Sequence, residues 1–475
     1  MSPPRTARSA VAAPCHQKGW LSVVSRSRVS KNKERCRCGR RKGTGSSVAG
    51  TLLSVQDDML GAIFASGSLS AADVVRCTAT CREWGRVVAS RSEYVSRGLP
   101  PLGRYLSSLA VGIFTAPITH IRKPHFIPTA AGARLLGDRR ISLLDGFQID
   151  GELLNYARPI TSRNGRLVLQ LSPTGGASGV LLCVCNPMTG DLAMLPHLSS
   201  NNKPRRNWFP YGCALFTSDD FDLLRSSSTF FRLLLLYNNG ASKTVLRCYS
   251  SDVGCWGQEM DITGVASISV QKMRQICPAV LRRSAAFWPL DDGALGVRLD
   301  LERPETIDVH LLPYCCPDYW PEKRLLGVSL DKRLFFIEFG MWQDFLSANL
   351  SYFDIDGDDI STGRENSEKS QEVLYPMFDI KMKSREDQTT LKLRWFCEKS
   401  GLILFTLGES SGYPGTFALD VRSPAVEKVV SGFSVSWRNI HLKSPAVVKV
   451  ADGYSWSCFV GYEMDMATYL AALTA

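Results

Sequence analysis

From residue 155 to the C-terminus the chain repeats one arrangement: a strand-length apolar run, a turn rich in Pro, Gly or Asp, and an apolar return. Residues 166–171 and 179–185 are two such runs, divided by a Pro/Gly-rich stretch, which is the pattern of strands bounded by turn residues. Asn186-Pro187-Met188-Thr189-Gly190 then reads as a tight turn, since Pro fixes φ and Gly tolerates a positive one. The apolar run resumes at residues 192–195 and Pro196 ends it. The same arrangement returns at residues 245–256, at 293–301 with 307–313, at 325–330, 333–339 and 350–355, and at 401–407, 416–421 and 426–430.

These units recur roughly every 45–65 residues, the spacing of β-propeller blades. About 320 residues at that spacing make five or six irregular blades. No Trp-Asp or paired-Gly signature repeats, so the array is neither a WD40 nor a Kelch pattern, and a β-sandwich with long insertions is the competing architecture. The expected fold class is α+β and multidomain: a small N-terminal helical unit followed by a large all-β, propeller-like domain.

The helical unit lies at residues 51–98. Met59, Leu60, Ile63 and Phe64 recur at the spacing of one apolar helix stripe, and Gly67-Ser68 interrupts it. Ser70 followed by Asp73 has the form of a capping box. Behind it Val74, Cys77, Cys81, Trp84 and Val88 step by three and four residues, the pattern of a single continuous helical face. Two helices of this size bury too little apolar surface to stand alone, so the pattern predicts docking on a partner, on the following domain, or on both.

Asp57-Asp58-Met59-Leu60, Ile63-Phe64, Ala72-Asp73-Val74-Val75-Arg76-Cys77 and Cys81-Arg82 with Trp84 and Val87-Val88 together resemble the F-box. That resemblance implies a helical motif that inserts into a Skp-type adaptor of a cullin-based ubiquitin ligase. It implies apolar contacts or motif core at Leu60, Ile63, Val74, Val75, Cys81 and Trp84, and rim contacts at Asp57, Asp58 and Arg82. The sequence departs from the family at Val55-Gln56 and Gly67-Ser68, where Leu-Pro pairs are usual. The β-rich half resembles the C-terminal region of many grass-type plant F-box proteins. The carriers are Asn186 to Gly190 with Leu195-Pro196, and Tyr249-Ser250-Ser251-Asp252 with Gly254 and Trp256.

The formal net charge of +11 would suggest a nucleic-acid binder until it is located. Residues 1–50 hold twelve Lys or Arg and one acidic residue, Glu34, so the rest of the chain is balanced. The folded part therefore has no electrostatic case for a phosphate backbone. The basic tail has almost no apolar periodicity and is expected to be disordered. Its Lys31 to Arg35 and Arg40 to Lys42 clusters suit a nuclear-import signal, a polyanion patch, an organelle transit peptide or a plain solvated extension. No apolar core follows these charges as in a secretory signal, and no run is long enough to cross a bilayer.

Fifteen cysteines without a secretory signal are expected as reduced thiols, and several, such as Cys183 and Cys185, sit in apolar runs. Cys36 with Cys38, and Cys315-Cys316, lack the spacing of a zinc site, and the six histidines are scattered. Asp354, Asp356, Asp358 and Glu365 imitate the ligand positions of a calcium loop. However, Asp359 stands where that loop needs Gly, and the flanks are not helical. Asp219-Asp220 and Asp291-Asp292 read as turn residues. No phosphate-binding, dinucleotide, nucleophile-elbow or zinc-protease motif occurs, so neither metal nor cofactor is expected and the chain is not read as an enzyme.

Residues 99–154 read as an ordered but irregular connector, stopped at Pro100-Pro101 and broken by Pro117, Pro124 and Pro128, with a short helix at 130–136. The resulting expectation is a non-catalytic substrate receptor of the nucleus or cytoplasm. It binds the Skp-type adaptor, and through it cullin, by its helices, and an unnamed protein target by loops of the β domain. The other expectation is an interaction scaffold whose F-box is degenerate.

Overall fold

A strand that is apolar at every position has to be covered on both faces, because successive side chains point to opposite sides. The structure, a computed structural model, meets that demand with a closed ring of six blades. It describes residues 48–473 apart from 118–122, 138–143, 145–146, 148, 150, 172–179, 199–210, 222–228, 240–242, 265–267, 269–277, 291–292, 301–306, 314–323, 343–344, 355–363, 377–390, 409–413, 422–426, 432–433, 439–446 and 453–455. The tail to residue 47, Arg139-Arg140, Asp291-Asp292, Cys315-Cys316 and Asp356 to Asp359 thus lie outside the described residues.

Helices α1 (Val48–Phe64), α2 (Ala71–Thr80), α3 (Arg82–Ser90) and α4 (Ser92–Gly98) come first. The first blade begins with β1 (Ala110–Pro117) and β2 (His125–Pro128), followed by α5 (Ala130–Leu136) and α6 (Gly151–Asn155). The second blade is β3 (Arg158–Arg163), β4 (Arg166–Leu171), β5 (Leu181–Cys185) and β6 (Leu192–Met194). The third is β7 (Tyr211–Thr217), β8 (Phe231–Asn239), β9 (Lys243–Ser250) and β10 (Cys255–Trp256), with β11 (Met260–Asp261) also on β9. The fourth is β12 (Val280–Arg282), β13 (Ala285–Leu290), β14 (Gly293–Leu299) and β15 (Ile307–Pro313). The fifth is β16 (Arg324–Val328), β17 (Leu334–Trp342), β18 (Phe345–Asp354) and β19 (Arg364–Pro376). In the sixth, β20 (Lys392–Cys397), β21 (Leu402–Leu407) and β22 (Gly415–Asp420) precede a separate hairpin, β23 (Glu427–Ser431) with β24 (Ser434–Arg438). Its fourth strand is β25 (Val447–Ala451), on β22. The last strand, β26 (Trp456–Glu463), returns to pair antiparallel with β1, and α7 (Met466–Ala472) ends the chain.

Alternation distributes each blade between two cores. On β8, Leu233 and Leu235 face the second blade while Leu234 and Leu236 face the fourth. On β5, Leu182 and Val184 face the third blade while Leu181, Cys183 and Cys185 face the first. Six such inter-blade cores run around the ring, and the last joins the sixth blade to β1 and β26. This arrangement excludes the two-layer sandwich, and the blade number falls at the upper end of the expected five or six.

Three sequence expectations are corrected. The proposed connector supplies β1 and β2, so the ring starts at Ala110 and its first blade combines both ends of the chain. The run from Val74 to Val88 is not one helix: Cys81 is extended (φ −137, ψ 123) and separates α2 from α3. There the hydroxyls of Thr78 and Thr80 donate to Val75 O (2.7 Å) and Cys77 O (2.9 Å), competing with the helix for its last carbonyls. Among the described residues the return strand expected at 426–430 is seen as β23, which pairs with β24, and the blade takes β25 instead. By contrast, Ser70 and Asp73 form the capping box read from the sequence, and Gly67 ends the α1 region at φ +73.

Candidate functional site

The helical unit packs around Phe64, Val74, Val88 and Val95, and Leu470 of α7 completes that core. Of the residues expected to meet an adaptor, Val74 is fully buried here, and Leu60 and Val75 pack half-buried against the same cluster. Cys81 is half-buried at the α2–α3 break, and Arg82 is exposed. Ile63 is 54% exposed and Trp84 38%, with Met59, one turn before Ile63, at 63%. The Trp84 ring stands edge-on to Phe64 at 6.0 Å. Asp57 pairs with Arg86 at 2.8 Å, and this hydrogen bond holds its carboxyl below the usual range. Asp58 pairs with Arg91, whose side chain crosses α1 over Gly61.

A second cluster, which the sequence did not announce, surrounds one mouth of the central channel. The innermost strands β3, β7, β12, β16, β20 and β26 neighbour one another around the ring. They line roughly 720 Å³ of empty space, solvent at the mouth included. Arg163, at the end of β3, donates to Asp220 through Nε (2.8 Å) and Nη2 (2.6 Å), and to Glu398 through Nη1 (2.8 Å). Burial alone would lower the pKa of this guanidinium, but the two carboxylates outweigh it and raise it. Asp220 also accepts from the backbone N–H of Thr217 at 2.8 Å, the local turn role read from the sequence. Glu463 accepts from Ser400 N (2.8 Å), Ser400 Oγ (2.6 Å) and Lys399 N (3.3 Å). Desolvation raises its pKa against these hydrogen bonds.

These contacts clasp the second, third and sixth blades to the closing strand. Arg163 lies 57 residues from Asp220 and 235 from Glu398, so no local pattern could have revealed the cluster. Arg163 pairs with two of its carboxylates, Asp220 and Glu398, while hydrogen bonds from Ser400 and the Lys399 backbone hold the third, Glu463. Among the described residues, no group of three or more His, Cys, Asp or Glu side chains could hold a metal ion. Strands, not helices, flank the calcium-like segment.

The two β-region motifs do meet. In the first, Asn186 Oδ1 accepts from Met188 N (3.0 Å) and Thr189 N (3.3 Å), with Gly190 at φ +81. In the second, Trp256 packs on Tyr249 and donates Nε1–H to Pro196 O at 2.9 Å, tying the third blade's edge to the second.

No protein-family model matches the chain, and no curated protein matches it. Three solved structures illustrate what it is similar to. The β-propeller domain of the Trilobed protease from Pyrococcus furiosus is 9% identical, with a TM-score of 0.29 over 58% of this chain and 85% of that one. Apo AztD from Citrobacter koseri is 11% identical, with a TM-score of 0.27 over 65% and 76%. The WD40 domain of SCAP from fission yeast is 10% identical, with a TM-score of 0.25 over 65% and 74%. The fold is a six-bladed propeller. That statement rests on the strand pairing of this chain, not on these scores. Among the described residues no helix is long and apolar enough to cross a membrane.

Proposed function

We propose that the chain is a substrate-receptor subunit of a Skp–cullin–F-box type ubiquitin ligase, with the helical unit docking on a Skp-type adaptor and the propeller recruiting a protein target. The observation that carries this reading is the exposure of Ile63 and Trp84, with Met59 and Tyr94, on a unit whose core of Phe64, Val74, Val88 and Val95 is closed. Exposed apolar patches mark interaction sites, and aromatic side chains such as Trp are common anchors of a protein interface. Holding a target beside a ligase on a shared scaffold raises its effective concentration and requires no catalytic group or cofactor of the receptor's own. The proposed setting is the nucleus or cytoplasm, and the target is a protein.

The test is capture of the full chain by purified Skp-type adaptor, beside the double variant Ile63→Asp, Trp84→Ala. Ile63 is more than half exposed, so Ile63→Asp by itself should keep the unfolding midpoint while losing capture, because a buried unpaired charge costs several kcal/mol; Trp84→Ala also gives up the edge contact with buried Phe64 and should lower the midpoint. Absence of capture by the wild-type chain defeats the ligase reading. The second reading, a non-ligase scaffold, draws on Val74, fully buried and spent on the chain's own core. It predicts that absence of capture.

A further inference from the structure

The described carboxylates at the channel mouth outnumber the cations. Arg163 is shared by Asp220 and Glu398, and Lys399 Nζ reaches Asp219 at 3.4 Å. Arg394, the remaining cation on the lining, donates Nε to Thr406 Oγ1 at 3.0 Å on the neighbouring strand. Glu463 is the fourth carboxylate, and its donors are uncharged groups. Its Oε1 accepts from Ser400 N and Oγ, and its Oε2 accepts only from Lys399 N, at 3.3 Å. Among the described residues Glu463 forms no ion pair. A carboxylate oxygen has two lone pairs, so Oε2 keeps room for a closer and stronger donor.

An indole stands beside that carboxylate. Trp395 follows a bulge in β20, where Arg394 is the extra residue opposite β21, and both side chains line the channel. Bulges re-aim side chains in this way. The ring lies against Gly461 of β26, where a Cβ would sit 2.4 Å from Trp395 Cδ1. Gly461 and Glu463 are two residues apart on one strand and so face the same side. Leu281 and Leu325 add apolar lining to the same space.

We propose that the channel mouth binds a primary ammonium on an apolar stem, the chemistry of an alkylamine or a lysine side chain, with its charge on Glu463 Oε2 and its stem along Trp395. A carboxylate next to an aromatic ring holds both the charge and the apolar body of such a group. Desolvation already raises the Glu463 pKa, and an arriving cation supplies the counter-ion that this partly buried charge lacks. The excess of acid over base at the mouth selects a cation over an anion. One available oxygen suits a compact ammonium, whereas the planar fork of a guanidinium calls for two. The site needs neither the helical unit nor an adaptor.

Ligand-observed NMR titration of the full chain with n-butylammonium tests this, beside n-butanol, which has the same stem without the charge. Butylammonium should bind with a dissociation constant of roughly a millimolar or below, and n-butanol at least about tenfold more weakly. Glu463→Gln should weaken butylammonium binding at least about tenfold, and Trp395→Leu about threefold or more, with unfolding midpoints measured alongside. The n-butanol comparison uses the wild-type chain alone, so it decides even where a substitution unfolds the protein. No binding of butylammonium, equal binding of the two ligands, or undiminished binding by folded Glu463→Gln overturns the proposal. A short blocked peptide with one central lysine, against the same peptide with norleucine, then separates the sources. Displacement of butylammonium by the lysine peptide alone assigns the site to a side chain, and no displacement assigns it to a free alkylamine.

Discussion

Glu463 is a half-buried carboxylate at the channel mouth, at the join between the closing strand and the sixth blade. Ser400 and Lys399 give it three hydrogen bonds, yet desolvation still raises its pKa above the ordinary 4.5. A carboxyl with a raised folded pKa binds protons more tightly folded than unfolded, so its contribution to stability declines as pH rises from 4.5 through the folded value. Glu463→Gln should therefore gain stability relative to wild type as pH climbs through that window, and show no such relative gain below it. Urea denaturation at a series of pH values measures the difference, and an unchanged difference across the series would contradict the assignment. Asp465 is raised for the same first cause, desolvation. Arg163 is the opposite case, a guanidinium kept charged because Asp220 and Glu398 more than offset its burial. Removing one member of such a pair strands the other, so the cluster acts as a clasp.

The short elements at the seam depend on close approach. Gly165 adopts φ +75, and a Cβ there would lie 2.5 Å from Asp465 Oδ2, the carboxylate that caps α7. Gly254 has the same φ of +75 with nothing within 4 Å of the corresponding position. Gly254→Ala should thus cost only the backbone strain of a left-handed residue, about 1–2 kcal/mol. Gly165→Ala should cost clearly more, since it must also displace the cap of α7, itself worth about 1 kcal/mol. Equal losses in urea denaturation would mean that the turn yields freely. At the same scale, the capping box at Ser70 and the turn at Asn186 were legible because the residues involved are three or four apart. The break at Cys81 was not, because apolar spacing continues through it while two threonine hydroxyls end the helix.

At the scale of the whole molecule, the ring is closed by its last strand. β26 pairs with β1 and supplies Phe459, Val460 and Tyr462 to the two cores flanking the closing blade, and α7 follows with Leu470. Each such side chain contributes about 1.5–3 kcal/mol when buried, against a typical net stability of about 5–15 kcal/mol. A chain ending at Asp452 should therefore lose cooperative unfolding and elute as aggregates in gel filtration, since β1 and β20 would lose their innermost neighbour. A monomeric, cooperatively unfolding product would show that five blades and an open sheet edge suffice.

The sequence alone determined the local features: strand-length apolar runs, the turns between them, the helical unit, the balanced charge of the folded part and the approximate blade spacing. All of these depend on residues within a few positions of one another, where backbone preference and apolar alternation act directly. Only the tertiary structure decided the rest. It decided that residues 110–128 belong to the ring, that β25 and not residues 427–431 completes the sixth blade, and that Arg163 meets Asp220 and Glu398. It also decided that Leu470 covers Val74 while Met59, Ile63 and Trp84 stay outside. An apolar residue in a sequence states that it will be covered, but not by what. The covering group is chosen by which distant segments the closed ring brings together, and nothing in the local pattern encodes that choice.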